Sequence, residues 1–173
     1  TQLLKTELIL NTIGYYIHQD PAPMIVMQPT VELAEAFSKD RISPMVRDTP
    51  ALAERIADPR ARDSGNTLLH KKFSGGHLTV AGANSPAGLA GRPRRVVIQD
   101  EIDRFPNSAG TEGDPCALAD KRADAFPNAV KIKTSTPTVK GKSRIENLLN
   151  QSDKREWNCK CPRCGFEIGR AHV

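Results

Sequence analysis

The stretch that most constrains the fold runs from Val96 to Glu101: three apolar residues and Gln99 precede two adjacent carboxylates, Asp100 and Glu101. Such an apolar run is typical of a buried parallel strand, and open α/β sheets bind ligands at the carboxyl ends of their strands. Asp100 could hold Mg²⁺ there, while Glu101 orients or deprotonates a water aimed at a nucleotide γ-phosphate. The stretch therefore matches a Walker B motif with a catalytic glutamate, although a strand followed by an acidic turn has the same residues.

A second, incomplete nucleotide-binding motif lies upstream, where Lys5 and Thr6 begin a predicted helix that runs to about Ile17. In a P-loop, backbone N–H groups cradle phosphates, the lysine reaches the β- and γ-phosphates, and the hydroxyl binds Mg²⁺. Leu4 occupies the position where a P-loop has glycine, and the glycine-rich start of the loop is missing. We therefore interpret the chain as truncated at its start, and we expect it to bind ATP poorly or not at all.

The predicted helices and strands alternate along the chain. They are helix 3–17, strand 24–28, a helix from Thr30 to about Val46, short helix 51–56, a hairpin of 67–73 and 77–81, loop 83–91, strand 95–99, helix 114–126, strand 129–135 and helix 142–151. This alternation predicts an α/β fold with a mostly parallel sheet flanked by helices.

Composition narrows the class of protein without deciding its function. The chain has 173 residues, 38% of them hydrophobic and 26% charged, which indicates a globular fold. No apolar run approaches the roughly 18 residues of a membrane span, and no signal peptide precedes the fold. The net charge of +5 is compatible with nucleic-acid binding but too modest to establish it.

Polar segments follow three of the predicted strands: Gln28-Pro29-Thr30, Asp100-Glu101 and Thr134-Ser135-Thr136-Pro137. Carboxyl ends of parallel strands line one crevice. The hydroxyl groups of these segments are thus placed to sense a γ-phosphate or its attacking water, although each segment alone is also a common exit from a strand.

The ordered set of motifs resembles the ATPase domain of the phage terminase large subunit, in the lambda-like GpA family. The supporting stretches, which cover essentially the whole chain, include Lys5-Thr6-Glu7, Gln28-Pro29-Thr30, Phe37–Arg41, Gly82–Pro86, Asp100–Asp103, Thr134–Pro137 and Cys161-Pro162-Arg163-Cys164-Gly165. The resemblance implies a P-loop NTPase fold of the RecA-like (ASCE) class.

The resemblance also implies residue roles. Lys5 would contact the phosphates of ATP, Thr6 and Asp100 would bind Mg²⁺, Glu101 would be the catalytic carboxylate, and Ser135 would belong to the motif that couples hydrolysis to movement. An arginine usually completes the charge stabilisation in phosphoryl transfer. Arg92, Arg94 and Arg95 are the candidates, although this basic run can equally be a solvated rim or a DNA contact.

At the level of the whole protein, the resemblance implies a DNA-packaging motor in the cytoplasm of a bacterial host, encoded by a phage or prophage. Its implied partners are double-stranded DNA, the small terminase subunit, the portal and procapsid, and further copies of itself, with no membrane. A nuclease domain would follow the segment present here.

The C-terminal Cys161-Pro162-Arg163-Cys164-Gly165 predicts half of a zinc knuckle, because two thiolates on a tight turn can take two positions of a tetrahedral Zn²⁺. The family would supply the second pair further along; Cys159 or His172 are geometrically doubtful substitutes. We accordingly divide the chain into an ATPase domain, 1–153, and an incomplete Cys-rich segment, 154–173. Cys116 is predicted to be a buried small hydrophobe, and the four histidines share no ligand spacing.

Two other functions stay open from the residues alone. Gln28-Pro29-Thr30 and Ser135-Thr136-Pro137 also resemble helicase motifs, which would fit a nucleic-acid-dependent ATPase. Leu4 instead suggests a degenerate, inactive nucleic-acid-binding remnant of prophage origin.

Overall fold

The computed structural model describes residues 4–56, 65–89, 91–155 and 158–168. The chain divides into two compact units, Thr1–Thr136 and Pro137–Val173. The domain boundary after residue 153, which we infer from the sequence, stays a prediction.

A five-stranded sheet with the spatial order β2-β3-β1-β4-β5 organises the first unit. Its strands are β1 Pro23–Gln28, β2 His70–Phe73, β3 Gly76–Gly82, β4 Val96–Asp100 and β5 Val130–Thr134. Strands β3, β1, β4 and β5 are parallel, and β2 pairs antiparallel with β3 as the second arm of a hairpin. The predicted α/β architecture and its mostly parallel sheet are therefore confirmed.

Helices connect these strands and cover both faces of the sheet. They are α1 Lys5–His18, α2 Val31–Phe37, a π turn Ser38–Ile42, α3 Ser43–Asp48, α4 Pro50–Ala53, α5 Pro86–Leu89, a 3-10 turn Ile102–Arg104 and α6 Pro115–Lys121. The predicted cap at Thr30 is present, since its Oγ1 accepts a hydrogen bond from the backbone N–H of Leu33 at 3.3 Å. Within the described residues, no helix is long and apolar enough to span a bilayer.

Two sequence predictions for this unit were wrong in detail. The segment predicted as loop 83–91 contains the short helix α5, whose first residue, Pro86, has a φ angle already suited to a helix start. The helix predicted to reach Phe126 ends at Lys121. Pro127 disfavours helical geometry in the residue before it, and a run of turns fills the interval.

The main core lies between α1 and one face of the sheet. Ile9, Ile13 and Ile17 recur every four residues, so they lie on one side of α1, and all three are fully buried. They pack with side chains that alternate along the strands: Met24, Val26, Leu78, Val80, Val96 and Ile98. Helices α5 and α6 lie against β3 and β4. Cys116 of α6 is buried as predicted.

An ion pair ties the start of β4 to the end of α1. Arg95 Nη1 donates to Asp20 Oδ1 at 2.8 Å, and the guanidinium carbon lies 5.4 Å from the ring centroid of Tyr16. Hydrogen bonding from Arg95 holds the pKa of Asp20 below its ordinary value. Because Asp20 lies two residues after α1 and Arg95 directly before β4, the pair links the exit from the helix to the entry of the strand.

The second unit contains helix α7, Arg144–Gln151, and a two-stranded antiparallel ribbon of β6 Cys159–Lys160 with β7 Glu167–Ile168. Ser143 is the N-cap of helix α7, because its Oγ accepts a hydrogen bond from the backbone N–H of Glu146 at 3.1 Å. The Glu146 carboxylate in turn accepts from the N–H of Gly141 at 2.9 Å.

Candidate active site

The carboxyl ends of β1, β4 and β5 bring the predicted site residues to one edge of the sheet. Asp100 is the last residue of β4, and it pairs in register with Thr134 at the end of β5. Gln28 ends β1 on the other side of β4. The three strand-end segments therefore meet at one edge, as their positions in the sequence predict.

Lys5 joins this edge from the first turn of α1. Its Nζ contacts Glu101 Oε1 and donates a hydrogen bond to Thr136 Oγ1 at 3.2 Å. The side chains of Lys5 and Glu101 are each about one quarter exposed, so the ion pair is partly shielded from water. Lys5 and Glu101, which are 96 residues apart in the sequence, therefore lie in direct contact.

Asp100 is held from both sides. Gln28 Nε2 donates to Asp100 Oδ2 at 3.0 Å, and Thr134 Oγ1 donates to Oδ1 at 2.6 Å. Asp100 is only 9% exposed, and a buried carboxylate is costly unless its oxygens are satisfied. Each oxygen keeps a further lone pair after these bonds, so the carboxylate is oriented and can still bind a cation.

Glu101 adopts an unusual backbone conformation for its residue type, with φ 58° and ψ 45°. This left-handed geometry costs a non-glycine residue about 1–2 kcal/mol. Its Oε2 is buried and has no hydrogen-bond partner, and Arg104 Nε lies 3.8 Å from it. Strain and an unsatisfied oxygen on one residue are typical of a functional position, because surrounding structure must enforce both.

The segment after β5 touches the site through two different side chains. Ser135 Oγ accepts a hydrogen bond from the backbone N–H of Asp103 at 3.1 Å, which ties this segment to the turn after Glu101. Thr136, rather than Ser135, contacts Lys5. Gln28, Thr134 and Thr136 lie in the polar strand-end segments, but the sequence alone assigns none of them an individual role.

Leu4 and Thr6 flank the lysine. Leu4 has φ 87° and ψ −21°, a conformation that favours glycine, and its side chain is 75% exposed. The backbone therefore keeps the geometry of a glycine position although the residue is leucine. Thr6 is the second residue of α1 and half-buried, and within the described chain no hydrogen bond joins it to Asp100.

The cysteine-rich tail does not complete a metal site in the described part of the chain. Cys161 and Cys164 are free thiols there. Hydrogen bonds from the backbone of Arg163 and Cys164 lower the pKa of the Cys161 thiol. Across the described residues, no cluster of three or more histidine, cysteine or acidic side chains could hold an ion. Two thiolates fill half of a tetrahedral zinc site, so zinc binding stays a prediction; the Cys159 side chain and His172 lie outside the description.

Comparison with known proteins identifies the family. Residues 1–170 match the family described as phage terminase large subunit gpA, ATPase domain. The large terminase subunit of Enterobacteria phage P21 is 33% identical over 164 residues, and that of Escherichia phage lambda is 28% identical over 164 residues. Each alignment covers 94% of this chain but 26% of the relative, so the chain spans about a quarter of their length.

Solved structures agree with this match at the level of the fold. The Thermus phage P74-26 large terminase ATPase domain aligns with a TM-score of 0.53 over 78% of this chain and 57% of that one, at 18% identity. A point mutant of the same domain aligns with a TM-score of 0.61 over 94% of this chain and 66% of that one, also at 18% identity. The chain belongs to the phage terminase large subunit gpA family and corresponds to its ATPase domain.

Proposed function

We propose that this chain is the ATP-hydrolysing domain of a terminase large subunit, which drives packaging of viral double-stranded DNA into a procapsid. The observation that carries the proposal is the contact of Lys5 with Glu101 and Thr136 at the edge where Asp100 is held. It brings the Lys5 ammonium beside two adjacent carboxylates: Glu101, whose Oε2 accepts no hydrogen bond, and Asp100, which Gln28 and Thr134 orient. The family match favours this function over a helicase-like ATPase.

The proposed role of Lys5 follows from its position on a 14-residue helix. A helix N-terminus attracts phosphate through its unpaired N–H groups and its dipole, and the lysine adds a full charge. In the structure, Lys5 Nζ interacts with Glu101 and Thr136. When ATP binds, its phosphates compete with Glu101 for Nζ, and the carboxylate is released to hold a water.

The same geometry supports Glu101 as the catalytic carboxylate. Its buried Oε2 accepts no hydrogen bond, so once the carboxylate is released from Lys5 it keeps a free lone pair with which to align, or take a proton from, an attacking water. General-base assistance of this kind contributes about 10²–10⁴-fold to a rate. Ser135, through its bond to the turn that follows Glu101, is positioned to transmit a movement of that turn to β5.

The residues present also fit Mg²⁺, which prefers oxygen ligands. Asp100 offers an oriented carboxylate and Thr6 a hydroxyl, and these are the two groups that would hold the ion. When bound, Mg²⁺ neutralises charge that develops on the transferred phosphoryl group. Asp100 keeps its orientation through Gln28 and Thr134 regardless of the ion.

The setting of this activity is proposed from the family. Double-stranded DNA, the small terminase subunit, the portal and procapsid, and further copies of the chain are the proposed partners, in the cytoplasm of an infected bacterium. Of the proposed arginine-finger candidates, Arg95 is paired with Asp20 and Arg94 with a histidine and a threonine. Arg92 is exposed, so it is the candidate left accessible to a neighbouring subunit.

ATP hydrolysis with and without double-stranded DNA, in the protein that contains this domain, tests the proposal. Glu101→Gln should lower turnover about 10²–10⁴-fold while ATP still binds. Glu112→Gln, an exposed glutamate in a loop of the same unit, is the matched control and should turn over normally. Unchanged turnover in Glu101→Gln would exclude Glu101 as the catalytic group. No turnover even in the unmodified protein would favour the inactive-remnant alternative.

A further inference from the structure

Arg94 is a buried arginine that forms no ion pair with any carboxylate in the described part of the chain. It is only 5% exposed, its Nη1 donates to His77 Nε2, and its Nη2 donates to Thr79 Oγ1 at 3.2 Å. A further donor, Nε, is buried and makes no hydrogen bond. Among the described residues, no carboxylate lies within ion-pair distance of this guanidinium. Burying a charge is costly unless it is paired, so the site is incomplete without an anion.

The guanidinium borders a cavity of about 440 Å³ whose other polar lining comes from His70, Lys72, Thr79 and Arg92. Three glycines complete the described lining, and no acidic residue contributes to it. Arg92 and Lys72 are exposed at its rim. The cavity therefore presents three cationic side chains and the imidazole of His70 to whatever enters it, and its described lining holds no negative charge.

Two histidines close to Arg94, His70 and His77, have pKa values lowered by burial and by the surrounding positive charges. Burial, followed by the nearby Arg94, His70, Arg92 and Lys72, lowers the pKa of His77 to about 4. Burial, followed by the charges of Arg92, Arg94, Lys72 and Lys71, also lowers the pKa of His70. Both imidazoles are thus neutral near pH 7, which lets His77 accept the hydrogen bond from Arg94. A bound anion would offset these positive charges and so raise the pKa of both imidazoles.

This cavity lies on the opposite face of the sheet from α1. His77 and Thr79 pair in register with Pro23 and Ile25. Since side chains alternate along a strand, these residues face away from Met24 and Leu78, which pack under α1. The cavity is therefore separate from the Lys5 and Glu101 site.

We propose that this cavity binds a phosphate group, with Arg94 and Arg92 as its principal donors. A guanidinium matches the geometry of phosphate oxygens and binds them with charge-assisted hydrogen bonds. Lys72, Arg92 and Arg94 surround the cavity, and this arrangement of three cations suits a tetrahedral oxyanion better than it suits a ligand with a single carboxylate. The group comes either from the backbone of a nucleic acid or from free phosphate. This inference stands on the cavity alone and does not rest on the proposed ATPase activity.

Titration with inorganic phosphate, followed by NMR of the His70 and His77 ring protons, tests the proposal, with chloride at matched ionic strength as the reference. Phosphate should shift both rings saturably and raise the pKa of His77. Arg92→Gln alters an exposed rim residue and should fold normally; it should weaken phosphate binding about tenfold, since one charge-assisted bond is lost. Arg41→Gln, an exposed arginine of the π turn, should bind as the unmodified chain does.

A duplex oligonucleotide distinguishes the two sources of the phosphate group. If it shifts the same two rings, the site takes a backbone phosphodiester; if only inorganic phosphate does so, the site takes the free anion. The proposal is overturned if neither probe moves the rings beyond the chloride reference. It is also overturned if Arg92→Gln and Arg41→Gln bind phosphate equally well.

Discussion

Replacing Leu4 with glycine should stabilise the protein, which is unusual for a substitution that removes an apolar side chain. Leu4 sits at φ 87°, where an L-residue is strained by about 1–2 kcal/mol. Glycine relieves that strain but loses about 0.5–1 kcal/mol more backbone entropy on folding. With the side chain 75% exposed, little burial is sacrificed.

The clean comparison is between glycine and alanine at the same position, because alanine removes the side chain but keeps the strained Cβ. Leu4→Gly should be more stable than Leu4→Ala by about 0.5–1 kcal/mol, the strain relieved less the entropy lost. For a chain of this size this corresponds to about 1–4 °C in the midpoint of thermal unfolding. Circular dichroism melting curves of the two variants measure it.

Leu8, an exposed residue within α1, provides the opposite control. In a regular helix, glycine is less stable than alanine by about 1 kcal/mol. The sign of the glycine-minus-alanine difference should therefore reverse between positions 4 and 8. If glycine is the less stable residue at both, Leu4 does not hold a glycine-type conformation in solution, and its assignment to the P-loop glycine position fails with it.

Three further outcomes are expected. Thr134→Val removes the hydroxyl hydrogen bond to Asp100 and should destabilise the fold by about 1–3 kcal/mol in denaturant titrations; an unchanged midpoint would show that this bond is not needed. Gly82→Ala would bring a Cβ within 2.4 Å of backbone at the start of α2 and should cost about 1–3 kcal/mol, whereas Gly91→Ala meets nothing within 4 Å and should be tolerated. Asp20→Asn should lower the melting temperature most at pH values above 3.8, the ordinary pKa of aspartate, because hydrogen bonding from Arg95 lowers the pKa of Asp20 in the folded protein. The stabilisation from Asp20 is lost as pH falls through this lowered folded-state pKa, so a difference that does not depend on pH would contradict the prediction.

The sequence by itself determined the fold class and the edge on which the site lies. Alternating strand and helix patterns are local properties, and they predict a parallel sheet because crossover connections leave few other arrangements. The acidic pair after Val96–Ile98 sits at a strand end for the same local reason. The order of the motifs assigns Lys5 and Glu101 to one nucleotide site, and the structure brings the two side chains into contact.

Only the tertiary structure decided which neighbours complete each site. Gln28 and Asp100 are 72 residues apart, and Lys5 and Thr136 are 131 apart. Strand order and register bring them together, and no local pattern encodes either. The cavity around Arg94 arises in the same way. Its lining comes from two separate segments, His70–Thr79 and Gly88–Arg94, together with Gly65, and only the folded sheet places them around the buried guanidinium.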